Sequence, residues 1–256
     1  MKVGAGVGGE RGCGVHWKTK AISALPHHSL HTMIMNHFPH KIRSAADQLY
    51  RHISKEILEG VYRPDQQLSE MAASEKYGVS RNTLREAFRL LIQEGLLIHR
   101  PNRGVFVRAF TVADLEDLYT FRRMCEAACL RHIGSDPDAT ASCIAAMRQS
   151  CLDADQAMAN QDWNALAIAN NHFHMAIFSS GGNSRMTRLG RTILAQSRLV
   201  FMTSGQEDKV HVPFIRDNKR MLEQIERGSL SAAVISLEQY LNRSQANMAK
   251  LLAEKQ

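Results

Sequence analysis

Arg81, Asn82, Arg85 and Arg89 carry, within one short stretch, side chains suited to reading nucleic acid. Arg81 and Arg85 are four residues apart and so share a helix face, and a guanidinium fork matches the paired acceptors of a guanine edge or a phosphate. Ser80 and Thr83 add hydroxyls at the start of the same helix, where free N–H groups favour a phosphate oxygen. Further along, Arg103-Gly104 sits in a turn signal between two apolar runs. One exposed arginine is ordinarily a solvated charge. This combination points to DNA.

A second set of polar residues falls where apolar ones belong. Arg122 shares a 3-4-3-4 stripe with Leu115, Leu118, Cys125 and Cys129; Asn170 and His174 lie on the stripe of Trp163, Leu166, Phe173 and Ile177. Asn218 accompanies Ile215, Leu222 and Ile225, and Tyr240 accompanies Ala233, Leu237 and Ser244. An unpaired buried polar group costs about 1–3 kcal/mol, and a charge costs more. Each group alone can bond to a neighbour, as Arg122 can to Glu126 one turn on. Four such stripes together predict a polar cavity that holds a small molecule.

The elements that must position these residues are set by periodicity and capping. Ile42, Ala46, Leu49, Ile53 and Ile57 recur at helical spacing up to Gly60. A second helix begins after Ser69 and stops at Gly78, and a third runs from the Ser80 cap to Gly95 with Leu84, Ala87, Phe88, Leu91 and Ile92 as its apolar stripe. Leu96–Arg100 and Val105–Ala109, joined by Pro101-Asn102-Arg103-Gly104, read as a β-hairpin. Three helices and a hairpin make a winged helix-turn-helix, whose third helix presents its solvent face to the major groove.

From Thr111 onward the pattern is helical throughout. Thr111 and Asp114 form a capping box, and further starts are expected at Asp136-Pro137, Asp162 and Asn183, with Pro213 and Gly228-Ser229 as later breaks. The chain is therefore expected to be mainly α. Residues 1–40 form a Gly-rich, His-rich leader without helical or strand periodicity, expected to be disordered. Residues 41–110 form the DNA-binding domain, and residues 111–256 an effector-binding and dimerisation bundle of about six helices. Within the leader, Cys13 with His16, or His27-His28, lack the further spaced ligands that a metal needs, and Met33 or Met35 could be alternative starts.

Charge agrees with this division. Of the net +7, +3 lies in residues 1–40 and +4 in residues 41–110, while 111–256 is neutral. Aromatics at 6% and 12 Met favour helices over a sheet sandwich. No apolar run approaches the ~18–20 residues of a membrane span. Five cysteines (Cys13, Cys125, Cys129, Cys143, Cys151) without a CxxC pair argue against a secreted disulfide framework and for buried thiols in a cytoplasmic protein. No HExxH, P-loop or post-strand GxGxxG is present to support an enzyme.

The run Gly78-Val-Ser-Arg81-Asn-Thr-Leu-Arg85-Glu-Ala-Phe-Arg89, with Glu94-Gly-Leu-Leu and Arg103-Gly104-Val-Phe-Val, resembles the N-terminal domain of GntR-type transcription regulators. Phe173-His174 and Ser179-Ser-Gly-Gly-Asn183 resemble the FCD effector domain of the FadR-like branch. Met71 departs from the pattern, standing where many members carry an arginine. The resemblance also implies a divalent-metal site in the bundle, with ligands falling on Asn170, His174, Asn218 and Tyr240. Only Asn170 and His174 match, and one imidazole, two amides and a phenol make a poor metal set. No metal or other cofactor is expected, unless a different alignment brings in His211 or His172.

Together these features predict a homodimeric regulator, a repressor by expectation, that reads a palindromic operator in double-stranded DNA through Ser80, Arg81, Asn82, Thr83, Arg85, Arg89, Arg103 and Gly104. Its effector would be a carboxylate metabolite or an acyl thioester held by Arg122, Asn170, His174, Asn218 and Tyr240. The alternative is a DNA-binding dimer whose bundle binds no effector and serves only to dimerise.

Overall fold

The computed structural model describes residues 44–254. The leader, with Cys13, His16, His27 and His28, lies outside the described residues, as do Met33 and Met35. The first helix, α1 (Ala45–Leu58), is capped by the Ser44 hydroxyl, which accepts from the Asp47 amide, and it buries Ala46, Leu49, Ile53 and Ile57. Then come a short strand, β1 (Gln67–Leu68), and α2 (Glu70–Tyr77), which starts at Ser69 and ends at Gly78 in the left-handed region (φ 62°). The third helix, α3 (Arg81–Gln93), has Ser80 as its N-cap and buries Leu84, Ala87, Phe88 and Leu91.

The wing consists of β2 (Leu97–Arg100) and β3 (Gly104–Val107), paired antiparallel with Leu97 opposite Val107 and His99 opposite Val105. The strands are shorter than the periodicity predicts. The Leu96 amide turns back to the Leu91 carbonyl to close α3, which withdraws it from the ladder. β1 pairs with β3 through Gln67 and Leu68, giving the sheet order β1-β3-β2. Two residues are too few to show a period of two, so the sequence carries no sign of β1.

Among the described residues, seven more α-helices follow. They are α4 (Val112–Arg131), α5 (Pro137–Ala159), α6 (Trp163–Ser179), α7 (Ser184–Ser204), the short α8 (Glu207–His211), α9 (Ile215–Glu226) and α10 (Leu230–Ala253). The anticipated caps are in place: Thr111 and Asp114 form a reciprocal box, Asp136 precedes Pro137 in the first turn, and Asp162 and Asn183 accept from amides of their own helices. Pro213 sits in a 3-10 turn, Val212–Phe214, that separates α8 from α9. α6 is the most enclosed helix, burying eleven of its residues. At Gly190, α7 comes so close to α6 that a Cβ would stand 2.4 Å from the Phe178 ring. Cys129, Cys143 and Cys151 are buried and Cys125 half-buried, all unbridged. Burial pushes the Cys129 and Cys143 thiols up to about 12, so they stay protonated and serve as apolar packing. Among the described residues no helix is long and apolar enough to cross a membrane.

Candidate nucleic-acid interface and buried polar site

The Ser80 cap fixes the start of α3, its hydroxyl accepting from the Thr83 amide at 3.2 Å and lying 2.9 Å from the Thr83 hydroxyl. With the apolar stripe turned inward, Arg81, Asn82, Arg85 and Arg89 are all exposed. Arg85 donates from Nε to Glu70 of α2 at 2.9 Å, and Arg89 to Glu86 at 2.7 Å. Both pairs are exposed, and exposed pairs of this kind are worth about 1 kcal/mol or less. At the wing tip Asn102 (φ 60°) and Gly104 (φ 92°) make the turn, and Gln67 of β1 donates to the Arg103 carbonyl at 2.7 Å. The Arg103 and Arg100 guanidinium groups lie over the Phe106 ring, and Arg100 also pairs with Asp65. Gln67 and Arg100 thus shape the wing tip, although no motif or spacing singles them out. Met71, 60% exposed, is on the surface of α2.

Inside the bundle, Arg122 of α4 is 1% exposed and donates from Nε to Glu126 at 2.7 Å. The Glu126 carboxylate, fully buried, meets His174 Nδ1 at 2.6 Å with its other oxygen. Burial alone would raise the Glu126 pKa, but Arg122 and His174 outweigh it and hold the carboxyl below its ordinary value. Burial pushes His174 down, so its imidazole is neutral at pH 7. A neutral ring facing a carboxylate with Nδ1 carries its proton there, which leaves Nε2 as a bare acceptor. The Glu126 partnership foreseen as the alternative for Arg122 is real, yet it is incomplete. Arg122 Nη1 and Nη2 and His174 Nε2 are buried without hydrogen-bond partners.

The remaining predicted residues join the same cluster. Asn218 Nδ2 donates to Asn170 Oδ1 at 2.9 Å, and Tyr240 donates its hydroxyl to the same oxygen at 3.1 Å. The Tyr240 and His174 rings lie 4.8 Å apart. Asn170 and Asn218 line a cavity of about 10 Å³ together with Ser150, Cys151, Phe173 and His211. That is room for about one water molecule. His211, held by α8 against the Phe201 ring, is fully desolvated and pushed down to about 3; its Nε2 and Asn218 Oδ1 are also buried without partners. The sequence points to His211 only as a substitute metal ligand. His172 is exposed and takes no part in the cavity lining.

A divalent metal does not fit this set. The Asn170 oxygen is already engaged by two donors, the Glu126 carboxylate is taken up by Arg122 and His174, and among the described residues no three His, Cys, Asp or Glu converge. Arg122 keeps unpartnered donors, and His174 and Asn218 keep unpartnered acceptors; of these three residues only Asn218 lines the cavity.

Residues 45–107 match the model of the gntR family of bacterial regulatory proteins, and residues 117–243 match the FCD domain. A crystal structure of a GntR transcriptional regulator from Rhodococcus sp. RHA1 superposes with a TM-score of 0.73 at 31% identity, covering 80% of this chain and 98% of that one. The HTH-type transcriptional regulator YdhC of Bacillus subtilis is 22% identical over 209 residues, which is 81% of this chain and 92% of that protein. The galactonate operon transcriptional repressor of Escherichia coli is 26% identical over 206 residues, 73% of this chain and 89% of that one. With both halves matched, the chain belongs to the GntR family and carries an FCD domain: it is a DNA-binding transcriptional regulator and not an enzyme.

Proposed function

We propose that the protein is a homodimeric repressor whose affinity for a palindromic operator is set by a small acidic effector bound inside the helical bundle. On the DNA side, α3 enters the major groove with Arg81, Asn82, Arg85 and Arg89, while Ser80 and Thr83 hold a phosphate at its N-terminus. Arg103 and Gly104 of the wing reach the neighbouring backbone or minor groove. Two-fold symmetry of the dimer calls for a two-fold operator. Arg85 exchanges Glu70 for a base edge or phosphate on binding.

The observation that carries the effector reading is the group of buried, unpartnered atoms: Arg122 Nη1 and Nη2, His174 Nε2 and Asn218 Oδ1. Native interiors leave few such groups, and two guanidinium ends call for an anion. A carboxylate answers Arg122, and two hydroxyls on the same molecule, each donating one proton, answer the two acceptors, so a polyhydroxy acid meets the whole set. The name of one relative refers to galactonate, which is a hydroxy acid of this kind. The present cavity is too small for such a molecule, so entry must expand it.

A thermal-melt screen with hydroxy acids, simple carboxylates, acyl-CoA thioesters and divalent metals tests the reading. One hydroxy acid should raise the melting temperature, lose that effect in Arg122→Met, and lower affinity for an operator fragment selected from genomic DNA. If no acid shifts the melt, the bundle serves for dimerisation alone.

A further inference from the structure

The two ends of the molecule are joined at an unusual place. Helices leave their last four carbonyls without intrahelical partners, and two helices of the DNA-binding module have such carbonyls capped by the bundle. At the end of α1, Leu58 O accepts from Arg198 Nε of α7 at 3.2 Å, and Glu59 O accepts from Asn164 Nδ2 of α6 at 3.1 Å. At the end of α3, Glu94 O accepts from Gln196 Nε2 of α7 at 2.7 Å. The Glu94 carboxylate also accepts from Thr192 at 2.8 Å and from Tyr50 of α1.

Both helices end in Glu-Gly, and each glycine allows the approach. A Cβ on Gly60 would stand 2.9 Å from Asn164 Oδ1 and 3.2 Å from Arg198 Nη2, and one on Gly95 would stand 3.0 Å from Gln196 Nε2. The DNA-binding module is thus held at two helix ends rather than tethered by its linker alone.

Arg198 reaches further. It is fully buried, its Nη2 donates to Asn164, and its Nη1 lies 3.0 Å from Glu207 Oε2 at the start of α8. The last contact is an ion pair off the N–H axis and not an aligned hydrogen bond. Four residues on, the same five-residue helix supplies His211 to the cavity wall, against Phe201 of α7. α8 is also anchored by buried Val210 and by Asn247 of α10, which donates to the Lys209 carbonyl at 2.9 Å, yet at five residues it is the shortest helix that lines the cavity.

We propose that Arg198 is the positioning residue that couples the buried cavity to the DNA-binding module, with α8 as the moving part. Expansion of the cavity displaces His211 and, through Glu207, draws Arg198 away from the end of α1. This rests on the effector reading only for what drives the motion; the Glu207–Arg198–Leu58 link stands without a ligand.

Hydrogen exchange on the full chain without ligand tests the link. In Glu207→Gln, peptides covering residues 57–62 should exchange about tenfold faster than in the native chain, because the α1 carbonyls lose their cap. Peptides covering residues 97–107 in the wing should be unchanged, and Glu207→Asp, which keeps the charge, should restore the native rate. His211→Ala should accelerate residues 57–62 as well, with no additional effect in the Glu207→Gln background. Native exchange at residues 57–62 in Glu207→Gln overturns the coupling, as does an acceleration that Glu207→Asp does not reverse. Because no ligand is present, such a failure is separate from a failed effector screen.

Discussion

The molecule uses arginine in two opposite ways. On α3 and the wing, Arg81, Arg85, Arg89 and Arg103 stand in solvent, and their acids, where present, are exposed too. In the bundle, Arg122 and Arg198 are wholly enclosed, each beside an acid and each with at least one nitrogen left without an aligned hydrogen bond. The dielectric surroundings make the difference. An exposed guanidinium gives up little when it changes partners, so it suits a reversible DNA contact. A buried one is held to its charged partner by the cost of stranding either charge, so the two stay together whether they rest or move.

The largest expected effect breaks the buried side of this contrast. Arg122→Met strands Glu126 and should destabilise the fold by about 3–5 kcal/mol, measured by chemical denaturation at pH 7. Arg122→Met with Glu126→Gln should recover a large part of that loss, because no charge is then left alone. On the exposed side, Arg81→Ala or Arg85→Ala should weaken operator binding by about 1–3 kcal/mol per protomer while leaving the denaturation midpoint nearly unchanged. Unaltered binding in both variants would remove α3 from the major groove.

Proton uptake sharpens the comparison next. His174 and His211 are both held below the ordinary imidazole value by burial, His211 at about 3. The unfolded chain, with ordinary histidines near 6.5, therefore takes up protons first as the pH falls. The stability from their neutral burial is complete above about pH 6.5 and is lost toward about pH 3 for His211. Well below pH 6.5 and above about pH 3 the loss should approach about 1.4 kcal/mol per pH unit for His211. His211→Gln should flatten that slope between pH 6 and 4. The smallest effect belongs to Arg89, paired with Glu86 on the surface. Arg89→Ala should change stability by less than about 0.5 kcal/mol while reducing the slope of log K against log salt by about 1 per protomer.

Much of the DNA-binding half is legible in the amino-acid order because its signals are local. Ser69 and Ser80 accept from amides three residues on, and the stripe of Leu84, Ala87, Phe88 and Leu91 needs only the helical period to be seen. β1 escapes because it exists only by pairing with β3. In the bundle, Arg122, Asn170, His174, Asn218 and Tyr240 stand out as polar residues on apolar stripes, and the structure gathers them into one cluster. Arg198 obeys the same rule, lying between Leu194 and Phe201 on one face of α7, and that signal could have singled it out. His211 could not be placed, since a five-residue helix has too little periodicity to show which side faces in.

What the amino-acid order determined by itself is where helices start and stop, which face of each is apolar, and which polar residues are committed to the interior; these depend on neighbours within about a turn. Only the tertiary structure decided who partners whom. Glu126 takes both Arg122 and His174, the Asn170 oxygen is spent on Asn218 and Tyr240, and Arg198 reaches 140 residues back to the Leu58 carbonyl. Buried polar groups must be satisfied by whatever the packing brings within about 3 Å, and helical periodicity shows that a side chain faces inward without showing what it meets there.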